Sequence, residues 1–515
     1  MTESQTPSPS VHHTHRRRQN LLGIALAVGG ALSAFGCVSL IIAAILLPPI
    51  YRAQPPYVQE QWCVRVRDNL GSEIVCDWKP TPPFEVIPTL SGPTQDPDFD
   101  PLSLLTPATL PPDETTPAAT ESGLQTTPFN VNTSGMLPEA MPTLSPTASP
   151  TFTPTPPPTL APTALPSPTP TATTTPIPRP ASYRLDLSRI TPHPQWWNNC
   201  GPATLTMALS YYGYNASQGP AANFLKPNSE DKNVSPFQMV QYANQQTRTS
   251  QEVYAEYRVG GDLDAVRTLL AYDFPVIIEM GFEFDDLGWM GHYLLLVGYD
   301  DAQQIFYTFD SFRGHGNSQG LQEPYAEIAA NWRHFNHTFI VLYDAPRRAQ
   351  LVRLLGELAE PRRAAEIALQ MAQTDASENP NDRWAWFNMG HSFTNLRDYE
   401  RAAQAFDQAF QLGMPYRTLW YQHSPYVAYF AVGRYNDVLN HASATAQTTP
   451  YVEETFFFRG AALAQQGDTN GARAAFNSAL SYNANFVYAR LAREALDNGS
   501  FNADLVLNTG MGGAY

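Results

Sequence analysis

Basic side chains are scarce in this 515-residue chain: 31 lysines and arginines stand against 47 aspartates and glutamates, a formal charge of −16. A nucleic-acid partner needs a surplus of cations on one face to neutralise phosphate, and none is visible here. Cysteine is scarcer still, with Cys37, Cys63, Cys76 and Cys200 making up all 4. Neither cysteine nor histidine recurs at the paired spacing of a ligand set, which argues against a metal site. No cofactor is called for. Charge of either sign is missing altogether from Leu21 to Leu47.

That uncharged run would make roughly 40 Å of helix against a hydrocarbon slab of about 30 Å, ample for a transmembrane helix over residues 21–48. A secretory signal peptide stops its apolar region sooner, and a lipoprotein cleavage site before Cys37 lacks its large aliphatic residue. His15-Arg16-Arg17-Arg18 precede the run. Basic residues stay on the cytoplasmic side, so residues 1–20 are expected to be a cytoplasmic tail and the rest of a single-pass cell-membrane protein extracytoplasmic.

An oxidising compartment gives two of the cysteines a use. Residues 49–79 read as a β-hairpin, with Trp62 to Arg67 and Ile74 to Trp78 alternating about a turn at Asp68 to Gly71. A disulfide between Cys63 and Cys76 would add roughly 3 kcal/mol to a unit too small to stand alone. Cys200 is left without a partner, a liability unless it is buried or used.

Between Pro80 and Pro180 lie 27 of the 47 prolines. Missing donors and a fixed φ prevent ladders and helices there, so residues 80–182 are expected to be a disordered Pro/Thr-rich spacer. Past it the prolines thin out and aromatics rise. Helices are predicted from about Pro202 to Tyr212, from Ser235-Pro236 onward, and across Asp262 to Tyr272. Strands are predicted over Phe274 to Met280, His292 to Tyr299, Ile305 to Phe309 and His337 to Tyr343. Helices first and an antiparallel sheet after is an α+β arrangement for residues 183–345.

Residues 346–498 are helical in pattern and partly self-similar, with 499–515 as a tail. Trp386, Gly390, Phe393, Ala402, Phe406 and Ala409 fall at the spacing of one unit, and Gly460, Leu463, Ala472, Phe476 and Ala479 repeat it. This resembles the tetratricopeptide repeat family, an all-α module that binds protein partners.

The chemistry gathers around Gln195-Trp196-Trp197-Asn198-Asn199-Cys200-Gly201-Pro202-Ala203. Pro202 suits a first helical turn and Gly201 its cap, which puts Cys200 at a helix amino end where a thiolate is stabilised. His292, at the mouth of an apolar strand, is the candidate base. Asp310, at the end of the next strand, is the candidate that orients it. Gln195 could supply an amide donor to the oxyanion, with Asn198 and Asn199 as alternatives. His193, His315, His334 and His337 read as surface or structural.

These residues, with Met207, Tyr211-Tyr212-Gly213, Phe274-Pro275-Val276-Ile277, Gly291-His292-Tyr293 and Gly298-Tyr299-Asp300, resemble family thirty-nine of the papain-like cysteine peptidases, in its free-standing form. The resemblance implies Cys200 as nucleophile, His292 as base, Asp310 as orienting acid and Gln195 at the oxyanion hole. Two departures stand out. Asn199 replaces the usual Asp, and Gln195 is one residue nearer to Cys200 than papain-like enzymes place it. A peptide or protein substrate is implied for an extracytoplasmic peptidase. A non-catalytic peptide-binding adaptor and an acyltransferase with the same triad are the competing readings.

Overall fold

The structure, a computed structural model, describes residues 99–105, 177–246, 252–284 and 288–512. The expected membrane span, the tail ahead of it, the Cys63–Cys76 hairpin and most of the linker lie outside these residues. Among the described residues no helix is long and apolar enough to cross a membrane.

From the amino side, β1 (Ser182–Arg184) is followed by helices α1 (Cys200–Ser210), α2 (Gln218–Leu225) and α3 (Pro236–Gln246). Next come β2 (Val253–Arg258), α4 (Leu263–Ala271), β3 (Val276–Phe284), β4 (Gly288–Asp300), β5 (Ile305–Phe309), β6 (Leu321–Pro324), α5 (Tyr325–Trp332) and β7 (Phe339–Asp344). The strands form one antiparallel sheet in the order β2-β7-β3-β4-β5-β6, with β1 added beside β4. A mixed α/β region around an antiparallel sheet, followed by helical repeats, is the arrangement the sequence pattern indicated.

Local chemistry sets the boundaries. Asp262 accepts from Ala265 N at 2.7 Å and opens α4 as its amino cap. Strand β4 is buried without a break from Tyr293 to Val297, because α1 and α4 pack on it. Two expectations shift. Asn198 adopts a left-handed φ of 54° and Ala203 N donates to Asn199 O at 2.9 Å, so α1 opens at Cys200 with Asn199, not Gly201, at the cap. Pairing of β3 with β4 runs from Val276↔Leu296 out to Phe284↔Gly288, so β4 begins at Gly288 and His292 lies inside a strand rather than at its mouth.

After β7 the chain is helical: α6 (Arg348–Leu355), α7 (Pro361–Glu378), α8 (Arg383–Asn395), α9 (Tyr399–Gln411), α10 (Thr418–Tyr421), α11 (Ser424–Ala431), α12 (Tyr435–Thr448), α13 (Glu453–Gln465), α14 (Thr469–Tyr482), α15 (Val487–Asp497) and α16 (Asp504–Leu507). A Cβ at Gly390 would sit 2.7 Å from the Phe406 ring, and one at Gly460 would sit 2.6 Å from the Phe476 ring. The two units thus close α8 on α9 and α13 on α14 by the same contact, a glycine admitting a phenylalanine.

The repeats are docked on the sheet domain. Arg258 donates to Leu358 O at 3.0 Å and to Ala359 O at 2.8 Å, Asn388 donates to Arg333 O at 2.7 Å, and Asn483 donates to Leu225 O at 3.0 Å. Two segments read as linker and tail take part. Pro101–Leu105, inside the expected linker, form a 3-10 turn whose Leu104 is buried and whose carbonyl accepts from Gln373 at 2.8 Å. The expected tail contains α16, and within it Met511 is buried and Gly512 O accepts from Ser424. In each, isolated apolar side chains, Leu104 in the first and Val506 and Met511 in the second, are buried against the helices.

Candidate active site

Cys200 is the first residue of α1, where unpaired N–H groups and the helix dipole favour negative charge. The helix is fixed against β4 by Thr204 Oγ1, which donates to Tyr293 O at 3.2 Å. That bond sets the thiol beside His292, the preceding residue of β4.

His292 is 5% exposed, and its Nε2 lies 2.8 Å from Asp310 Oδ1. Nδ1 is left for the sulfur, to which the ring is hydrogen-bonded. Asp310 follows β5 and is held from several sides. Its Oδ1 accepts from Phe312 N at 2.8 Å and Arg313 N at 3.1 Å, and its Oδ2 accepts from Arg313 Nε at 2.8 Å. Arg313 is in turn bound by Glu323 of β6 at 2.8 Å. A paired bridge between Asp310 and Gly314 closes this loop.

Charge follows from the geometry. Burial alone would raise the Asp310 pKa, but His292 and Arg313 outweigh it and hold the carboxyl well below the usual carboxylate range. Burial also opposes charge on His292, yet Asp310 and the sulfur push the ring up to about 10. For Cys200 burial raises the thiol, while the bond and charge of His292, the N–H of Tyr293 and the charge of Lys226 together bring it down. A thiolate facing an imidazolium is the state these shifts favour.

The sulfur opens onto a pocket of about 230 Å³, its mouth included, whose lining includes Asn198, Lys232, Val234, Glu279, Gly291 and Tyr421. Of the three amide candidates, Asn198 lines the pocket. Asn199 is buried and donates to Gln218 Oε1 at 3.1 Å. Gln195 is tied to the residue after Asp310: Ser311 Oγ donates to its Oε1 at 2.9 Å and Gln195 N donates to Ser311 O at 2.8 Å. Its Nε2 donors remain without a partner among the described residues.

Sequence reasoning missed Arg313, Glu279 and Tyr421. Arg313 is the legible one, a cation three residues past a buried acid. Glu279 sits in an apolar strand and Tyr421 in a different module, so neither carries a local signal. Glu279 is buried and its carboxyl is raised well above the usual range by burial. Tyr293, its neighbour across the β3–β4 pair, donates its hydroxyl to Val234 O at 2.7 Å.

Residues 187–340 match the model of the Peptidase_C39 like family, and residues 385–412 match that of the tetratricopeptide repeat. The chain therefore carries a Peptidase_C39-like domain followed by a tetratricopeptide repeat. No curated protein matches it.

Proposed function

We propose that this chain is a membrane-anchored, extracytoplasmic cysteine peptidase of papain-like fold. The observation that carries the proposal is the imidazole of His292, bonded on one nitrogen to a buried carboxylate and on the other to a thiol at a helix amino end. In the proposed reaction Cys200 Sγ attacks the scissile carbonyl carbon, and His292 then gives its proton to the leaving amine as the C–N bond breaks. Water, deprotonated by the same ring, releases the acid from the thioester and restores the thiolate–imidazolium pair. Asp310 orients the ring and stabilises its charge. Cys200 N–H, with Gln195 Nε2 or the Asn198 amide, would receive the oxyanion.

The repeat match supports a protein-binding role for the carboxy-terminal module. The uncharged run Leu21 to Leu47 with its basic flank supports anchorage and an extracytoplasmic position for the peptidase. An epoxide peptide mimic tests the reading. Rapid labelling at Cys200 that is lost in His292→Ala is expected of the peptidase; labelling no faster than free cysteine, and unchanged in that variant, would leave a peptide-binding adaptor.

A further inference from the structure

The pocket beside Cys200 is not built by the peptidase domain alone. Tyr421, the last residue of α10 in the helical module, lines it together with Cys200, Glu279 and His292. Room for the ring exists because residue 291 is glycine: a Cβ there would lie 3.0 Å from Tyr421 Cγ and Cδ1 and 2.8 Å from Phe335 Cζ.

The ring is held from both modules. On its own side, Thr418 and Leu419 are fully buried and Trp420 Nε1 donates to Thr448 Oγ1 at 3.0 Å. Toward the peptidase, the next residue, Gln422, donates to His334 O at 3.0 Å. Trp289 of β4 meets the Tyr421 ring edge-on at 5.7 Å and packs at 5.1 Å on Trp384 of α8. A side chain so anchored is a fixed wall rather than a mobile lid.

We propose that Tyr421 is a specificity-determining residue, a wall supplied by the repeat module that limits the size of the group admitted beside the nucleophile. The proposal rests on the peptidase reading of Cys200 and His292. It makes the module part of the cleft, so the shape of the substrate site depends on docking of the repeats. Steric exclusion by a rigid aromatic discriminates by size and leaves small reagents unaffected.

Two alkylating reagents with one warhead, iodoacetamide and its N-benzyl derivative, test this on the full chain, with rates at Cys200 followed by mass spectrometry. In Tyr421→Ala the N-benzyl rate is expected to rise about tenfold while the iodoacetamide rate stays within about twofold, and Tyr421→Phe should match the parent in both. Should Tyr421→Ala fail to fold, Tyr421→Leu, which keeps most of the volume, is expected to give a smaller rise for the benzyl reagent alone. Equal changes for both reagents, or no change for either, would overturn the proposal. Failure of the peptidase reading is a separate result: iodoacetamide labelling as slow as free cysteine and indifferent to His292→Ala, whatever the ratio between reagents.

Discussion

A carboxylate as buried as Asp310 is tolerable only when its oxygens are fully bonded, and among the described residues Arg313 joins His292 in providing its countercharge. Replacing Arg313 with Gln removes a cation at 2.8 Å while leaving the His292 bond in place. Asp310 then rises but stays ionised, and the imidazolium loses a neighbouring cation, so His292 is held at or above its value of about 10. The alkaline limit of peptide hydrolysis, which needs the imidazolium proton, should move up by as much as about one unit in Arg313→Gln. An unmoved limit would mean that the arginine only shapes the loop. Cys200, His292 and Asp310 were legible in sequence because each sits at a marked place: before Gly-Pro, after a glycine entering an apolar run, and at a strand end. Tyr421 was not, since its role comes from packing against a glycine in another module. The oxyanion donor was legible only as a set of amides, because the spacing from Gln195 to Cys200 says nothing of which side chain faces the pocket.

Elements were readable where periodicity is strong and unreadable where they are short or at an edge. The core strands β3, β4, β5 and β7 announce themselves as apolar runs, whereas β2 and β6, at the two ends of the sheet order, are half polar and were missed. Their pairing is decided by the neighbouring strand, not by their own composition. Helix α2 escaped for a related reason: Gln218, Gly219 and Pro220 hide its start, which is set by Ser217 capping Gly219 N at 3.3 Å. The repeat spacing, by contrast, encodes a contact. A methyl at Gly390 or Gly460 would lie inside the van der Waals envelope of Phe406 or Phe476. Gly390→Ala and Gly460→Ala should each destabilise the chain by about 1–3 kcal/mol in chemical denaturation, although alanine is the better helix former. A neutral or stabilising result would mean that these helix pairs open without cost.

Docking of the two modules buries an acid cluster that no sequence pattern announced, since its members lie on α13 and in the loop before α3. Asp231, Glu453 and Glu454 are each at most 2% exposed, with Glu453 Oε1 accepting from Asn483 at 2.7 Å and Gln238 at 3.2 Å. Burial is the main reason that Glu454 is raised to about 8, and Asp231 adds to it. A carboxyl raised in the folded chain keeps its proton where the unfolded chain has lost it. Its contribution is full below the ordinary glutamate range and declines as pH rises toward about 8. Thermal unfolding midpoints should therefore fall between those limits, and Glu454→Gln should flatten that slope; an equal slope in the variant would remove Glu454 as its origin. Whether the whole assembly is an enzyme turns on the charge state of one sulfur, and the pH dependence of Cys200 alkylation reads it most directly. The account predicts that reactivity sets in below the ordinary thiol value of about 8.5 and that His292→Ala abolishes this shift. Onset at or above that value, unchanged in the variant, would contradict it.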